Sequence, residues 1–351
     1  MNEGDPNLHC PIPAVSPADV VELAVGEGAK ASRLFLDKFI HNRFKNQTLQ
    51  RRDDAAILEI DALQLAFTTD SFVVEPYFFP GGDIGKLAVC GTVNDLSMVN
   101  ADPTCLSLSL ILEEGFPLSD LSRILDSVEK WCQKANVEIV CGDTKVVPKG
   151  KVDGIFINTS GIGRRVKGVT SPNSVVKEHD VVLVSGPIGC HGMSVMAARN
   201  PGLVETEIES DCGLLLPLVQ SLRNREVPVK AMRDATRGGV AAVLHEWARQ
   251  FDVSISVDEE SVPVRSDVRG LTELLGLDPL FVANEGTMVV VVDSTFATAA
   301  IEAMRSVPIG VGATRIGNVY AGRRNPVTVV RGLGKEVPLL EPTGAMLPRI
   351  C

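Results

Sequence analysis

Two α/β domains, each mixing strands with helices, are what this sequence predicts. Three observations carry the expectation. The 351 residues exceed the size at which a single hydrophobic core stops growing. Apolar residues make up 45% of the chain and aromatics only 5%, so the cores must be built largely from Val, Leu, Ile and Ala. Strand-period and helix-period segments alternate on both sides of a stretch rich in Lys, Gly, Pro and Asn between Arg164 and Asp180, the best domain boundary.

Taken in order, residues 1–22 are polar and proline-marked and are expected to be disordered. The first domain, 23–165, opens with a helix over Ala31–Asn42, where Leu34, Phe35 and Phe39 make one face partly apolar. Strands are expected at Ala55–Ile60 and Leu65–Thr69, a helix at Gly85–Asn100 and an alternating strand at Thr104–Leu112. An amphipathic helix at Leu118–Ala135 precedes strands at Val137–Cys141 and Gly154–Ser160. The second domain, 176–331, begins with the apolar strand Val181–Val184. It continues through helices at Gly192–Arg199, Gly213–Arg223 and Gly238–Gln250, and a strand at Val253–Val257. A helix at Val268–Leu275, a strand at Met288–Val292 and a helix at Thr295–Ser306 lead to strands at Thr314–Val319 and Val327–Val330. Residues 332–351 show neither period and are punctuated by Gly and Pro. They predict a flexible, mobile tail carrying Cys351. Fully extended at ~3.3 Å per residue, such a tail would reach roughly 60 Å. A thiol so carried can enter an active site as a covalent handle.

Composition narrows the function. A net charge of −10 with no basic stripe argues against a nucleic-acid partner, though a metal-bound nucleotide is still compatible. No apolar run approaches 18 residues, so no membrane span is expected. The eight cysteines form no C-x-x-C pair, and MNEGDPNLHCPIP lacks the regions of a signal peptide. Both features predict a reducing, cytoplasmic setting.

The chemistry-bearing residues are acidic. Asp53 and Asp54, Asp70, Asp95, Asp143, Asp234 and Glu285 are each expected at a strand end or tight turn. Singly, such residues are common as caps and turn formers. Were they to converge, each close pair would repel by roughly 4 kcal/mol at 4 Å and an effective dielectric of 20, and a cation would have to balance them. Oxygen ligands without nearby His or Cys pairs select Mg²⁺, which typically carries substrate phosphates. Phosphate could also meet Gly26-Glu27-Gly28-Ala29-Lys30 at a helix start, Gly142-Asp143-Thr144-Lys145, and Arg237-Gly238-Gly239. Gly81-Gly82 reads equally as a plain turn. His191, in the glycine-flanked Gly189-Cys190-His191-Gly192, is a candidate for catalysis, whereas His245 at helical spacing reads as structural.

Together the strings are specific. Asp-Asp-Ala-Ala (53–56), Thr-Thr-Asp-Ser (68–71), Phe-Phe-Pro-Gly-Gly-Asp-Ile-Gly-Lys (78–86), Gly-Thr-Val-Asn-Asp-Leu (91–96) and Gly-Asp-Thr-Lys-Val-Val (142–147) come first. Arg-Asp-Ala-Thr-Arg-Gly-Gly-Val (233–240), Ala-Asn-Glu-Gly (283–286) and Pro-Arg-Ile-Cys (348–351) follow. In this order they resemble the hydrogenase-maturation carbamoyl dehydratases, the HypE family. That family belongs to the ATP-using superfamily of aminoimidazole ribonucleotide synthetase and selenophosphate synthetase.

The resemblance implies the two-domain architecture of that superfamily, a homodimer formed through the N-terminal domains, and ATP in a cleft near the dimer interface. It implies Asp54, Asp95 and Asp234 as Mg²⁺ ligands, with Asp53, Asp70, Asp143 and Thr144 completing the metal–phosphate site and Lys30 as a phosphate-binding lysine. Lys145 and Glu285 match residues tied to dehydration. The carbamoyltransferase HypF would load a carbamoyl group onto Cys351, and a HypC–HypD scaffold would receive the cyanide destined for a nickel–iron hydrogenase. Two positions depart from the family pattern: Gly-Glu-Gly-Ala stands where Gly-Ser-Gly-Gly is frequent, and Cys190 replaces a common Asp. The alternatives are a small-molecule kinase of the same superfamily and a non-enzymatic maturation adaptor.

Overall fold

The computed structural model describes residues 21–61, 63–168, 175–202, 206–322, 325–342, 347 and 349–351. The disorder expected over residues 1–20 therefore lies outside the described residues. The chain enters through a 3₁₀ turn, Leu23–Glu27, into α1 (Ala29–Leu36), which runs on as a π-helical turn over Asp37–His41. A short α2 (Gln47–Gln50) is capped by Asn46, whose side chain accepts from Leu49 N at 2.8 Å.

The first domain then forms β1 (Ala56–Ile60), β2 (Leu63–Phe72), the small hairpin β3 (Phe78–Phe79) and β4 (Gly82–Asp83), α3 (Ile84–Met98), β5 (Ala101–Glu113), α4 (Leu118–Ala135), β6 (Glu138–Val147) and β7 (Ile155–Arg165). Its sheet runs β1-β2-β7-β5-β6 and is antiparallel except for β5–β6. That parallel pair needs a crossover, which α4 supplies. Asp83 caps α3 by accepting from Gly85 N and Lys86 N. A side chain at Gly85 would bring a Cβ within 2.5 Å of Ile124 O, so glycine lets α3 lie against α4. Helix α3 is buried on nearly all sides because the sheet, α4 and the second domain enclose it. The opposite face of the sheet is uncovered and apolar: Leu63 and Phe67 of β2, Ile162 of β7 and Ile111 of β5 are exposed there.

The second domain holds β8 (Asp180–Val184), α5 (Cys190–Arg199), α6 (Leu216–Asn224), β9 (Val229–Asp234), α7 (Gly239–Gln250), β10 (Val253–Asp258), α8 (Ser266–Leu275), β11 (Met288–Asp293), α9 (Ala297–Arg305), β12 (Thr314–Ala321), β13 (Val327–Arg331) and β14 (Lys335–Pro338). The strand order is β14-β13-β10-β12-β8-β11-β9. The central β8 and β11 read as unbroken apolar runs because both faces are covered, by α7 on one side and by α6 and α9 on the other. A further cluster joins the domains: Phe72, Ile84, Leu87 and Cys90 pack with Cys190, Met193, Cys212 and Val282.

The structure corrects several expectations. Asp95 lies on buried α3, Asp70 within β2 and Asp143 within β6, not at strand ends or turns. Strand β9 was not expected, since Lys230 and Arg233 interrupt its apolar pattern; pairing with the all-apolar β11 decides it. The segment after Gly332 is not without regular structure. Leu333, at φ 65°, reverses the chain so that β14 can cover the open edge of β13. Of the pair Gly81-Gly82, Gly81 forms the hairpin turn with Pro80, while Gly82 opens β4 and pairs with Phe79.

Candidate active site

Three carboxylates meet where the domains touch. Asp54 precedes β1, Asp95 projects from α3 and Asp234 ends β9; one oxygen of each lies within 4.8 Å of the others. The Thr68 hydroxyl on β2 lies 2.8 Å from Asp95 Oδ2 and 3.0 Å from Asp54 O. Arg233 braces the group from the far side: its Nε donates to Asp54 Oδ1 at 2.7 Å and its Nη2 to Arg52 O at 2.8 Å, and it also pairs with Glu246.

The electrostatics match crowded carboxylates. Burial, then the negative charges of Asp234, Asp70 and Asp54, holds Asp95 well above the ordinary carboxylate range. Burial and the neighbouring Asp54 push Asp234 up to about 7. Asp54 rises to about 6, since burial outweighs Arg233. Asp70 is raised by burial against the pull of Arg237. Burial is the largest cause of every shift, and mutual repulsion adds to it for Asp54, Asp95 and Asp234. An all-oxygen donor set of this kind fits a hard divalent ion such as Mg²⁺.

Glu285 sits beside this group, 3% exposed, and its Oε1 has no hydrogen-bond partner among the described residues. Burial first, then Cys212, Asp234, Asp211 and Asp70, holds its carboxyl well above the usual range. Its loop is fixed by Asp211, which accepts from Glu285 N at 3.2 Å, Gly286 N at 3.0 Å and Thr287 Oγ1 at 3.0 Å. A Cβ at Gly286 would fall 1.7 Å from Asp211 O, so this close approach requires glycine. Asn284 adds bonds from its Nδ2 to Ala235 O at 2.8 Å and Val282 O at 3.0 Å.

The phosphate candidates divide. Arg237 donates to Gly26 O at 2.9 Å, and Gly28, at φ 77°, packs against the Arg237 backbone; the glycine turn and half-buried Lys30 are thus held near the turn after Asp234. The side chains of residues 27 and 29 lie outside the described residues. Asp53 is exposed at the rim. Asp143, Thr144 and Lys145 stand on the exposed edge strand β6, where Lys145 Nζ pairs with Asp143 at 2.7 Å. The register Asp70↔Thr159, Asn158↔Ser109, Ser109↔Asp143 puts three strand spacings, roughly 14 Å, between Asp70 and Asp143. One chain alone does not bring these residues to the triad.

Cys351 is partly exposed and packs against the interdomain cluster that contains Cys190, Cys212 and Ala283. Val73 N donates to Cys351 O at 3.1 Å and Glu75 N to Arg349 O at 3.3 Å, so residues 349–351 run antiparallel beside residues 73–75, just past the end of β2. Arg349 donates to Val73 O at 3.2 Å and pairs with Glu75 and Asp153. His191 is fully buried with its ring 2.8 Å from Ile350 O. Cys190 is an inert thiol, pushed up to about 12 chiefly by burial. His245 is structural, its Nε2 donating to Leu339 O at 3.0 Å.

Sequence reasoning missed Thr68, Ser210, Asp211 and Arg233. The polar run Glu209-Ser210-Asp211-Cys212-Gly213 was a usable signal for two of them, but nothing local ties it to residues 285–287.

A carboxylate triad between two such domains defines a class. The chain matches the N-terminal domain of AIR synthase related proteins over residues 52–165 and their C-terminal domain over 177–330. It is 42% identical to the carbamoyl dehydratase HypE of Rhizobium leguminosarum bv. viciae over 334 residues, 94% of this chain and 95% of that protein. The chain belongs to the carbamoyl dehydratase HypE family. Among solved structures, that of a HypE–HypF complex superposes with a TM-score of 0.81 at 44% identity, covering 88% of this chain and 99% of the other. A hydrogenase maturation protein HypE in complex with ATP superposes at 0.78 with 40% identity, covering 94% and 100%. Among the described residues no helix is long and apolar enough to cross a membrane.

Proposed function

We propose that this protein converts a carbamoyl group, carried as a thiocarboxamide on Cys351, into a thiocyanate in an ATP-dependent dehydration that supplies cyanide for hydrogenase maturation. One observation carries the reading: Cys351 docks against the interdomain cluster that contains Val282 and Ala283 of the Glu285 loop, and Glu285 in turn feels the charges of Asp234 and Asp70.

The chemistry follows from the groups. Oxide is a poor leaving group, so S–C(=O)–NH₂ does not lose water readily. When the carbonyl oxygen takes the γ-phosphoryl group of ATP, it becomes phosphate; loss of the N–H protons then expels it and leaves S–C≡N. A divalent ion held by Asp54, Asp95 and Asp234 would neutralise charge on the transferring phosphoryl group. Lys30 and Lys145 add positive charge to the same end. Glu285 is the base for the N–H protons. Burial and the surrounding acids raise its pKa in the free protein, and positive charge that arrives with the substrates favours its carboxylate form.

The reading includes a homodimer. Its support is the uncovered apolar sheet face and the isolation of Asp143, Thr144 and Lys145 on its edge strand. A second copy packed there contributes these residues to its neighbour's triad. It also includes loading by HypF, delivery to a HypC–HypD scaffold and a cytoplasmic setting.

Mass spectrometry of the peptide ending at Cys351, after incubation with the loading enzyme, carbamoyl donor and ATP, tests the proposal. The expected sequence is a gain of one carbamoyl group followed by loss of one water. Carbamoylation that never advances to dehydration would overturn it. Cys351→Ala should abolish both mass changes and leave ATP binding intact.

A further inference from the structure

His191 is 159 residues from the segment it touches. Its Nε2 lies 2.8 Å from the carbonyl oxygen of Ile350, the residue before Cys351, and its Nδ1 lies 2.7 Å from Ser210 Oγ. A carbonyl cannot donate, so Nε2 carries the hydrogen. In the neutral ring Nδ1 is then an acceptor, and the Ser210 hydroxyl must donate to it. Ser210 Oγ in turn accepts from Cys212 N at 3.0 Å. The Phe79 ring meets the imidazole edge-on at 5.3 Å and fixes its plane. Burial, the largest influence, lowers the His191 pKa and so keeps the ring in this neutral state.

We infer that His191 is a positioning residue for Cys351: it clasps the Ile350 carbonyl and so sets the depth at which the thiol sits beside the Glu285 loop. A buried histidine that merely satisfied the core would bond within its own domain's framework. This one bonds the segment that bears the reacting sulfur. The anchoring is shared with the catalytic loop, because Ser210 orients His191 while its neighbour Asp211 holds the N–H groups of Glu285 and Gly286. Substrate carrier and base are therefore referenced to one three-residue segment, Ser210–Cys212. The thiol must also be reachable for loading, so the clasp has opposite effects on two steps. It withholds Cys351 from outside reagents and favours the dehydration step inside.

The inference rests on the proposed dehydratase reading, and the test separates the two. The full-length wild type, His191→Ala and Ser210→Ala are compared by alkylation of Cys351 with iodoacetamide, read by peptide mass. Dehydration of the preloaded carbamoyl group after ATP addition is followed in a single turnover. ATP affinity reports an intact fold. Loss of one buried hydrogen bond is expected to speed Cys351 alkylation about tenfold and slow dehydration about tenfold in His191→Ala. Ser210→Ala, which removes only the hydroxyl that orients the ring, should move both rates the same way by about threefold. His191→Gln, which can still present an N–H, should recover part of the loss. If either alanine variant with wild-type ATP affinity alkylates and dehydrates at wild-type rates, or if both rates fall together, the clasp is refuted. If the wild type itself never dehydrates, the failure lies with the dehydratase reading, while the alkylation rates still decide whether His191 holds the segment.

Discussion

The triad of Asp54, Asp95 and Asp234 and the β6 trio of Asp143, Thr144 and Lys145 are equally prominent as motifs, yet the fold treats them in opposite ways. The triad is drawn together across a domain junction, braced by Thr68 and Arg233, and its carboxyls are pushed toward neutrality by burial and mutual repulsion. The trio lies on an exposed edge strand, and the Lys145–Asp143 pair holds the Asp143 carboxyl below the usual range. One group carries an electrostatic cost that a cation can relieve; the other is relaxed by its own ion pair. The difference teaches that the fold of a single chain gathers one set of motif residues at the domain junction and leaves the other on an exposed strand.

The largest effect should come from breaking the triad. Asp95→Asn is expected to reduce turnover by about 10²–10³-fold and to abolish nucleotide binding measured by calorimetry. It should also raise the melting temperature of the ligand-free protein, because it removes a buried carboxylate that three others repel. A lowered melting temperature would show that the crowding is not destabilising. Glu285→Gln should come next. It is expected to let the carbamoylated Cys351 accumulate, seen by peptide mass, and to raise the melting temperature of the ligand-free protein, because burial holds the Glu285 carboxyl well above its ordinary range and glutamine has no charge to bury. Rapid conversion to the thiocyanate in this variant would remove Glu285 as the base.

Lys145→Ala sharpens the comparison between the halves. It should lower turnover but change stability by less than about 0.5 kcal/mol, since the side chain is exposed. Mixing it with Asp95→Asn at equal amounts should restore about a quarter of wild-type activity if sites are shared between exchanging subunits. No recovery would place Lys145 outside the neighbour's site.

The smallest effect concerns pH. Asp54 and Asp234 have folded-state values raised to about 6 and about 7, above the unfolded value of about 3.9. The folded chain thus binds more protons than the unfolded one between these values. Its stability contribution is full below about 4 and is lost as pH rises through about 7. Thermal melts of the ligand-free protein should therefore fall between pH 5 and pH 8, and Mg²⁺ with nucleotide should flatten the profile. A ligand-free profile that is flat would mean the carboxyls are not crowded in solution.

Much of this was legible from residues alone. Helix α4 occupies the span its periodicity indicated, Leu118–Ala135, because alternating polar and apolar faces are a local property. The Val-rich β8 and β11 were equally plain. Strand β9 was not, since its identity rests on a partner more than 50 residues away. The same holds for Asp211, whose three acceptor contacts lie at residues 285–287, and for β14, which forms because β13 leaves an edge to be covered.

The chain's own pattern determined the two-domain mixture of strands and helices, the roster of acidic and basic candidates, and Cys351 as a candidate carrier thiol. Only the tertiary structure decided which acids stand within 4.8 Å of one another, that Asp143 and Lys145 face away from them, and that residues 349–351 dock against Val73, Glu75 and His191. The physical reason is range. Hydrophobic periodicity is set by neighbours a few positions apart, whereas convergence of charges depends on strand order and domain packing that no short window encodes.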